Sequence, residues 1–449
     1  MDKKKLGIFE EYNKNKKSIC FIAASGISIR NIMLPSSLEG LLKLNKKYNI
    51  IFITNIKFFK SYKTNFRIIP LIDKRNFLDV ILHVISRFLF DKIHFTNTKK
   101  IRYKNNLKKK SYSTYIFNKI FFLIPKNRFL YKVIRKLHNK ITKLSRREIR
   151  KQLKNYNVKQ IISLNSLSKA EYPYILIGND ICESYCVVRS FDNITKDGYM
   201  PFVPKNIFVW NKKMKKEALE HYQEYKPNIY IVGSPQYDNL KLKKKIDKVK
   251  SNQVLYCSNS PHLYPDDPDT IIFLKKYAKK FKFQILLRIH QADDIRRWQK
   301  IEEDEYLKFY PDKTTHKDPN LNVADINHQK SLAEQIKSSF VVICSYSTIT
   351  YDSLSLGVPF INLGYDFFCK SFHESVTRLE EYEHIKPFIK LKCCDNVRSK
   401  KELVNRILFR RKKGFSRLEN ESRVNYLKES LSPNIGETWI NNVINYLEK

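Results

Sequence analysis

The feature that most constrains this chain is the alternation of short apolar runs with helical patterns. SICFIAAS (18–25) is a compact apolar run ending in small polar residues, as a buried parallel strand does where it enters a loop. A helical pattern over 36–47 and a second apolar run, NIIFITN (49–55), complete a strand–helix–strand unit, and FRIIPLI (66–72) predicts the next strand. Because such crossovers have one hand, they predict an α/β protein with doubly wound parallel sheets.

The alternation starts afresh in the second half of the chain. Strand patterns at KQIISLNS, YCVVRS, NIFVW and NIYIVG belong to the first half, and QVLYCSNS, FQILLRIH, VVIC and PFINLG to the second. The 449 residues are too many for one ordinary core. We therefore expect two Rossmann-like domains facing a cleft, 1–240 and 253–449, joined by the basic linker 241–252. The amphipathic last helix, GETWINNVINYLEK, could return to pack on the first domain.

A basic helical insertion is expected in the first domain at about 78–155. Three apolar segments with helical spacing, FLDVILHVISRFLF, YIFNKIFFLI and RFLYKVIRKLHNKI, alternate there with stretches rich in Lys and Arg. The apolar faces are expected to cover the sheet. The charges indicate contact with an anionic membrane surface, although a solvated face would also explain them.

The whole chain is strongly basic, with a formal net charge of +41 and a pI of about 9.8. Such an excess points to a polyanionic partner, either an anionic membrane face or nucleic acid. Part of it has a simpler explanation, because Lys, Asn, Ile, Tyr and Phe are abundant together, as in proteins from genomes rich in A and T. The sequence has no aromatic–basic RNA-binding signature, so nucleic acid is not an expected partner.

The cysteines and the N-terminus indicate a reduced, cytoplasmic protein. The eight cysteines include no Cys-x-x-Cys pair, so neither disulfides nor zinc is expected. The first residues lack the apolar core of a signal peptide, and YIFNKIFFLIP, among the longest apolar runs, is too short to span a bilayer. We expect a cytoplasmic protein that could lie on the inner face of the membrane. The acidic run DDPD (266–269) is assigned to helix capping rather than to a metal.

Hydroxyl-bearing residues follow a buried strand pattern in VVICSYSTITYD (341–352). Ser345 to Thr348 stand where strand turns into helix, so hydroxyls and free backbone N–H groups converge at the positive end of a helix dipole. This arrangement suits a phosphate or diphosphate. Asp352 lies one turn further on the same face, where it could accept hydrogen bonds from ribose hydroxyls. Ordinary helix capping is the alternative. The absence of a glycine-rich phosphate loop from the sequence argues against an ordinary dehydrogenase or NTPase.

Two further strand ends carry polar side chains. Arg288 and His290 close FQILLRIH on the same side, where they could bind phosphate or protonate a leaving group, although a lone strand-end His is more often structural. The loop SFDNITKDG (190–198) leaves a carboxyl strand end, where open α/β sheets place ligands, and it presents Asp192 and Asn193. A tight turn would explain the same residues.

Three stretches together resemble the CDP-glycerol glycerophosphotransferase family and related GT-B transferases of surface polysaccharides, and more distantly UDP-N-acetylglucosamine 2-epimerases. They are SFDNITKDGYMPFVPKNIFVWNKKMKKEAL, IVGSPQYD and SYSTITYDSLSLGVPFINLGYD. The resemblance implies that Ser347 and Thr348 bind donor phosphate and that Asp352 binds ribose. It places His290 where the family has a strand-end His, with Ser258 and Ser260 lining the same crevice. The chain departs from the family at Gln291, where relatives usually have Pro, and at Phe191, where they often have Trp.

We therefore expect a metal-independent GT-B transferase that moves a sugar or polyol phosphate from a nucleotide-diphosphate donor to a saccharide or lipid-linked acceptor. The C-terminal domain would hold the nucleotide and the N-terminal domain the acceptor, with Asp192 as the base if one is needed. No cofactor is expected beyond the activated donor, which is a substrate. Two alternatives remain: a UDP-N-acetylglucosamine 2-epimerase on the same scaffold, and a non-enzymatic basic protein that binds RNA or membrane.

Overall fold

The structure is a computed structural model, and it describes most of the chain. The described residues are 10–56, 66–74, 76–109, 119, 123, 125–165, 167–238, 251–290, 293–310, 326–431 and 437–448, with the backbone alone at 105–109 and 326–329. The chain divides into two compact units. The first comprises Met1–Asn239 with Glu429–Lys449, and the second comprises Leu240–Lys428. Residues 241–250 of the expected linker lie outside the described residues.

The first unit contains a seven-stranded parallel sheet in the order β3-β2-β1-β4-β5-β6-β7. Its strands are β1 Ser18–Ile22, β2 Asn49–Ile53, β3 Arg67–Ile69, β4 Val158–Ser163, β5 Glu183–Val187, β6 Asn206–Val209 and β7 Asn228–Ile231. Every residue of β1 and β2 is buried, as expected for strands covered on both faces. The strand order reverses between β1 and β4, which is the topological switch of this sheet.

Helices connect these strands and cover the sheet. They are α1 Gly26–Ile32, α2 Pro35–Lys47, α3 Phe77–Ile93, α4 Asn97–Lys109, α5 Arg128–Ser145, α6 Arg147–Asn155, α7 Tyr172–Ile181, α8 Asn193–Lys196 and α9 Lys212–Tyr222. Helices α3 to α6 form the expected basic insertion between β3 and β4, where a doubly wound sheet commonly has one crossover helix. Asparagine side chains start the two longest of them: Asn76 accepts the Asp79 N–H at 2.7 Å, and Asn127 accepts the Leu130 N–H at 2.8 Å.

The second unit contains a six-stranded parallel sheet in the order β10-β9-β8-β11-β12-β13. Its strands are β8 Gln253–Cys257, β9 Gln284–Arg288, β10 Leu307–Tyr310, β11 Val341–Cys344, β12 Phe360–Leu363 and β13 Cys394–Val397. Its helices are α10 Asp267–Phe281, α11 Ile326–Lys337, α12 Ile349–Leu356, α13 Lys386–Ile389, α14 Lys400–Lys412 and α15 Arg417–Ser430. The strand order reverses between β8 and β11. The fold is therefore α/β, with two doubly wound parallel sheets as the sequence predicts.

Strands β10 and β13 are not predicted by the sequence patterns. β10 reads LKFY and is a four-residue edge strand, in which the exposed Lys308 interrupts the apolar residues. β13 reads CDNV, and its central Asp395 and Asn396 are polar residues that bind buried side chains of the same unit. Neither segment therefore carries the apolar run by which the other strands are recognised.

The last helix, α16 Trp439–Leu447, belongs to the first unit. The Asn442 side chain donates to the Val232 carbonyl at 3.3 Å, and Gln160 donates to the Leu447 carbonyl at 2.5 Å. Tyr446 stacks on Tyr230 with ring centroids 4.2 Å apart. The C-terminal residues thus complete a unit whose sheet is built from the first half of the chain.

All eight cysteines are free thiols, and most are buried, although Cys369 is exposed. In the part of the chain that the structure describes, no helix is both long enough and apolar enough to cross a membrane.

Candidate functional site

The topological switch of the second sheet brings two polar loops together. Strands β8 and β11 pair directly, with Val254 opposite Val341, so their carboxyl ends open on the same edge. Ser258 and Ser260 follow β8, and the turn Ser345–Thr348 follows β11. In open α/β sheets this is the position at which ligands bind.

An asparagine between the two serines links these loops. The Asn259 side-chain amide donates to the Ser345 carbonyl at 2.5 Å. The Asn259 backbone N–H in turn donates to Asp267 at 2.8 Å, and the Tyr256 hydroxyl donates to the same carboxyl group at 2.6 Å. Burial raises the pKa of Asp267 to about 8. Sequence reasoning did not single out Asn259, and it assigned Asp267 only to the capping run DDPD.

The turn itself has a constrained backbone. Tyr346 has a φ of +37°, which is uncommon outside glycine and needs support from its surroundings. Its N–H donates to the Asn362 side-chain oxygen at 2.7 Å, and its hydroxyl donates to Glu380. A Cβ at Gly364 would lie 2.8 Å from the Tyr346 hydroxyl, so glycine gives the ring room. Residues of two later segments therefore hold the turn in place.

The turn presents hydrogen-bond donors that the described residues do not use. Ser345 is 1% exposed, and no described group lies within hydrogen-bond distance of its hydroxyl. The backbone N–H groups of Ser347, Thr348 and Ile349 likewise have no acceptor in the described part of the chain. Buried polar groups are rarely left unpaired, so this combination points to an absent partner that accepts hydrogen bonds.

Capping by the Thr348 side chain does not account for the turn. Thr348 is the N-cap residue of α12, but its hydroxyl accepts no hydrogen bond from the first turn of the helix. Asp352 lies in that first turn and is half-buried. The positive end of α12 is therefore not capped by a side chain, and the Asp352 carboxylate lies in the first turn beside it.

Arg288 lies inside this unit rather than on its surface. It is 6% exposed, donates to Gln335 at 2.7 Å and lies 4.9 Å from the centre of the Tyr310 ring. Burial lowers its pKa, whereas the nearby Asp352 carboxylate raises it. Arg288 thus supplies positive charge near Asp352 from within the packed interior.

His290 lies two residues beyond the end of β9 and is exposed. Its backbone N–H donates to the Ser258 hydroxyl at 2.8 Å, which joins the loops after β8 and β9. The Ser260 hydroxyl lies 2.7 Å from His262 Nδ1, and both serines are largely buried. Gln291, the departure from the family pattern, lies outside the described residues.

DDPD lies at the start of α10 as the capping prediction expects, with Asp267 and Asp269 in the first turn, but the side-chain cap bond is absent. Asp266 is the N-cap residue of α10 but makes no side-chain cap bond. Its carboxylate instead accepts from the Phe367 N–H at 2.9 Å and from the Lys370 ammonium at 2.5 Å. The acids therefore tie neighbouring loops together at the carboxyl edge. Among the described residues, no group of His, Cys, Asp and Glu is arranged to hold a metal ion.

In the first unit, Asp192 and Asn193 follow β5. Asp192 pairs with Lys196 at 3.2 Å, and Asn193 accepts the Ser190 N–H at 3.0 Å. Asn193 is 9% exposed, so it closes the turn from inside, as the turn interpretation of this loop expects. Arg189 reaches across to the Ser25 hydroxyl at 3.1 Å.

A buried carboxyl group occupies the topological switch of the first sheet. Glu171 is fully buried and accepts from the Ala24 N–H at 2.9 Å, the Asn165 N–H at 3.2 Å and the Ser163 hydroxyl at 2.6 Å. Burial raises its pKa to about 7, although all three donors favour the ionised form. Glu171 has no sequence signal, because its partners come from two different strand ends.

A cavity opens on the same edge of the first sheet. Its lining includes Arg189, two tryptophans, Trp210 and Trp439, and polar residues of α1 such as Ser28 and Asn31. The Trp439 indole nitrogen is buried and has no hydrogen-bond partner among the described residues. The first unit thus also presents polar and aromatic groups at the carboxyl ends of its strands.

Comparison with known proteins supports the fold. No protein-family model matches the chain, and a search of curated proteins finds no match. Among solved structures, the UDP-GlcNAc 2-epimerase from Neisseria meningitidis bound to UDP-GlcNAc aligns with a TM-score of 0.51 and 10% identity, covering 97% of this chain and 100% of that chain. The UDP-GlcNAc 2-epimerase from Methanocaldococcus jannaschii has a TM-score of 0.48 and 12% identity, covering 92% and 99%. A glycosyltransferase from Rickettsia africae has a TM-score of 0.47 and 12% identity, covering 97% and 98%. Together with the topology of its two sheets, the alignment with the Neisseria meningitidis structure shows a GT-B type of fold with two Rossmann-like units.

Proposed function

We propose that this protein is a transferase that moves a sugar or polyol phosphate from a nucleotide-diphosphate-activated donor to a surface-polysaccharide acceptor. One observation carries the proposal. The Ser345–Thr348 turn leaves a buried hydroxyl and several backbone N–H groups without partners at the topological switch of the second sheet. A diphosphate is the ligand that best fits, because its oxygens would accept hydrogen bonds from these donors and its negative charge would lie at the positive end of the helix dipole.

The roles of the individual residues follow from their positions. Ser345, Ser347 and Thr348 would bind the donor diphosphate, and Asp352 would accept hydrogen bonds from the ribose. As the bond to the transferred group breaks, negative charge grows on the leaving diphosphate, and donors already oriented at that position stabilise it. Arg288 would add its positive charge from the interior without contacting the donor.

His290, Ser258 and Ser260 lie on the loops beside this turn, and we assign them to the transferred group. His290 is the candidate acid that protonates the leaving oxygen, because it is the exposed member of this set. The acceptor is assigned to the first unit, where Asp192 is the candidate base and the cavity near Arg189 offers aromatic and polar groups.

Two observations favour particular donor molecules. The Neisseria meningitidis structure, whose title names UDP-GlcNAc as the bound molecule, favours UDP-linked sugars as the first donors to test. The sequence resemblance to CDP-glycerol glycerophosphotransferases favours CDP-glycerol as the second. Lipid-linked or polymeric saccharides are the acceptors that this resemblance implies.

Isothermal titration calorimetry with UDP and CDP tests the site. Thr348→Ala and Asp352→Asn are each expected to weaken binding of the preferred nucleotide by about tenfold or more, because the first removes a hydroxyl donor to the diphosphate and the second replaces a charged acceptor of the ribose hydroxyls by a neutral amide. Ser399→Ala is the matched control, since Ser399 caps another helix of the same unit. Unchanged affinity in Thr348→Ala and Asp352→Asn would show that this turn does not bind the nucleotide.

A 2-epimerase is the second candidate, and the same structural neighbour supports it. An epimerase needs no acceptor, so incubation with UDP-GlcNAc alone separates the two activities. The transferase proposal expects no 2-epimer in the NMR spectrum of that mixture, and it expects release of nucleotide only when an acceptor is added.

A further inference from the structure

The exposed apolar side chains of this protein are concentrated in the helical insertion. Among the described residues, eleven of the seventeen large apolar side chains exposed to solvent lie between Phe77 and Leu144. Phe77 is 81% exposed, Leu123 82% and Phe129 78%. Scattered exposed apolar residues are normal on a soluble protein, but such a concentration marks an interaction surface.

Helix α5 shows how this surface is built. Its residues Tyr131, His138 and Thr142 face the interior of the unit. Leu130, Val133, Leu137 and Leu144 recur at i, i+3, i+7 and i+14, which places them on one face of the helix, and all four are exposed. The helix therefore has an interior face and, separately, an apolar face directed to solvent. The expectation that the apolar faces only cover the sheet does not hold for this helix.

A row of lysines runs beside the exposed apolar face. Lys132, Lys136 and Lys140 are exposed and recur every four residues, one position away from Val133 and Leu137. The helix sequence contains six basic residues and no acidic one. Arg128 and Lys143 pair with acidic groups of other segments, whereas no described acidic group pairs with the three lysines. The apolar face and its flank thus carry uncompensated positive charge.

Helix α3 adds to the same surface. It packs against α5 in the opposite direction, because Asp79, near its start, accepts hydrogen bonds from His138 and Thr142 in the C-terminal half of α5. The first half of α3 exposes Phe77 together with Leu78, Val80 and Ile85. Helices α3 and α5, which pack against each other in the insertion, therefore both expose apolar side chains to solvent.

We propose that helix α5 and the first half of α3 form a docking surface for an anionic lipid bilayer. The apolar side chains enter the boundary between headgroups and acyl chains, and the lysines bind the anionic headgroups, as in amphipathic helices that lie in the membrane plane. The positive charge of this surface favours an anionic membrane over a second copy of the chain, because two strongly basic surfaces would repel each other. The proposal does not depend on the donor site, because all its residues lie in the insertion.

Cosedimentation of the full chain with vesicles tests the proposal. We expect binding to vesicles of phosphatidylcholine mixed with phosphatidylglycerol, and weak binding to pure phosphatidylcholine. The triple variant Lys132→Gln, Lys136→Gln, Lys140→Gln is expected to bind the anionic vesicles on the order of a hundredfold more weakly, at roughly fivefold per lysine. The double variant Val133→Ser, Leu137→Ser is expected to lose roughly tenfold or more.

Helix α10 provides matched controls. It exposes Ile272, and Lys276, Lys279 and Lys280 are also exposed. The variant with these three lysines changed to Gln alters the net charge equally, and Ile272→Ser with Leu219→Ser removes two exposed apolar side chains elsewhere. Both control variants are expected to bind vesicles like the unchanged protein.

A fluorescent reporter separates insertion from simple adsorption. The three natural tryptophans, Trp210, Trp298 and Trp439, are buried, so Phe129→Trp adds an exposed indole. Its emission is expected to shift to the blue with anionic vesicles. Equal vesicle binding by the insertion variants and their controls would overturn the proposal, as would self-association that Leu137→Ser abolishes in the absence of lipid.

Discussion

At the scale of single residues, a few buried charges hold distant segments of the second unit together. Arg410 is 2% exposed, and its guanidinium contacts Asp395 of β13 at 2.6 Å and Glu419 of α15 at 2.7 Å. Burial would lower the pKa of Arg410, but the two carboxylates outweigh it and raise the pKa. One side chain therefore joins a strand to two helices.

Arg410→Met is expected to destabilise the protein by about 1–3 kcal/mol, because it removes the buried guanidinium to which two partly buried carboxylates bind. Arg417→Met is the control: Arg417 is 92% exposed where it pairs with Glu421, so its loss should change stability by less than about 1 kcal/mol. Urea denaturation followed by circular dichroism measures both. Equal effects of the two substitutions would contradict the structural role of Arg410.

Residue by residue, the candidate site was only partly predictable from the sequence. Ser345 to Thr348 and Asp352 lie close together in the chain, so the strand-to-helix pattern was enough to place them near one another. Asn259 and Asn362 act on that turn from 86 and 16 residues away, respectively. Only the pairing of strands brings such residues into contact, and no local pattern signals it.

At the scale of elements, one face of helix α3 packs against aromatic rings of neighbouring segments. His83 stacks on Tyr172, with ring centroids 6.0 Å apart, and contacts Tyr199 edge-on at 5.4 Å. Burial, together with the nearby Lys169, His138 and Arg87, lowers the pKa of His83 to about 3, although Asp79 opposes this shift. The folded protein therefore holds this histidine in its neutral form.

This histidine makes stability depend on pH. Its pKa is about 6.5 in the unfolded chain and about 3 in the folded protein, so the unfolded state binds the proton more readily between these values. This histidine therefore does not destabilise the folded state above about pH 6.5, and its destabilising effect grows as the pH drops below that value. His83→Phe should lessen the loss of unfolding free energy between pH 7 and pH 5 by about 1 kcal/mol, a figure reduced because the ring is partly exposed.

Urea titrations at the two pH values measure the effect. Ile85→Phe on the same helix is the control, because Ile85 is exposed and not titratable, so its substitution should leave the pH dependence of stability unchanged. A His83→Phe variant with the same pH dependence as the unchanged protein would show that this ring does not bind the proton on unfolding.

The predictable elements were those with strong apolar periodicity. Strands β1, β2, β8 and β11 are apolar along most of their length, so their sequence patterns indicated them correctly. β10 and β13 were missed because a polar residue interrupts each of them. Lys308 faces solvent at the sheet edge, and Asp395 pairs with the buried Arg410. Periodicity reports burial on a face, and it fails where a buried side chain is charged and paired.

At the scale of the whole molecule, the chain returns to its first unit at its C-terminus. Trp439, Ile440 and Val443 of α16 are buried, and a Cβ at Gly40 of α2 would lie 2.5 Å from Ile440 Cγ2. The backbone N–H of Trp439 donates a hydrogen bond to the Asp238 carboxylate at 2.6 Å. Close packing of α16 on α2 therefore depends on the glycine.

Ile440→Ala is expected to destabilise the protein by about 2–5 kcal/mol, because it leaves a cavity against α2. Gly40→Ala alone should cost about 1–3 kcal/mol through overpacking. In the double variant the new methyl group occupies the vacated space, so the combined loss should be smaller than the sum by about 1 kcal/mol or more. A double-mutant cycle in urea measures this coupling, and strict additivity would show that the two residues do not touch. Ile272→Ala is the control for an exposed isoleucine.

The sequence by itself determined the class of the fold and the position of the candidate phosphate turn. Buried strands and strand-to-helix turns each consist of consecutive residues, so their patterns can be recognised without knowing the tertiary contacts. The tertiary structure alone decided which loops meet at each topological switch and which buried groups remain without a partner. It also decided that an apolar face of α5 stays exposed, whereas the return of the last helix to the first unit was already an expectation from its amphipathic sequence. These properties depend on contacts between residues far apart in the chain, and neither composition nor periodicity encodes which distant segments pair.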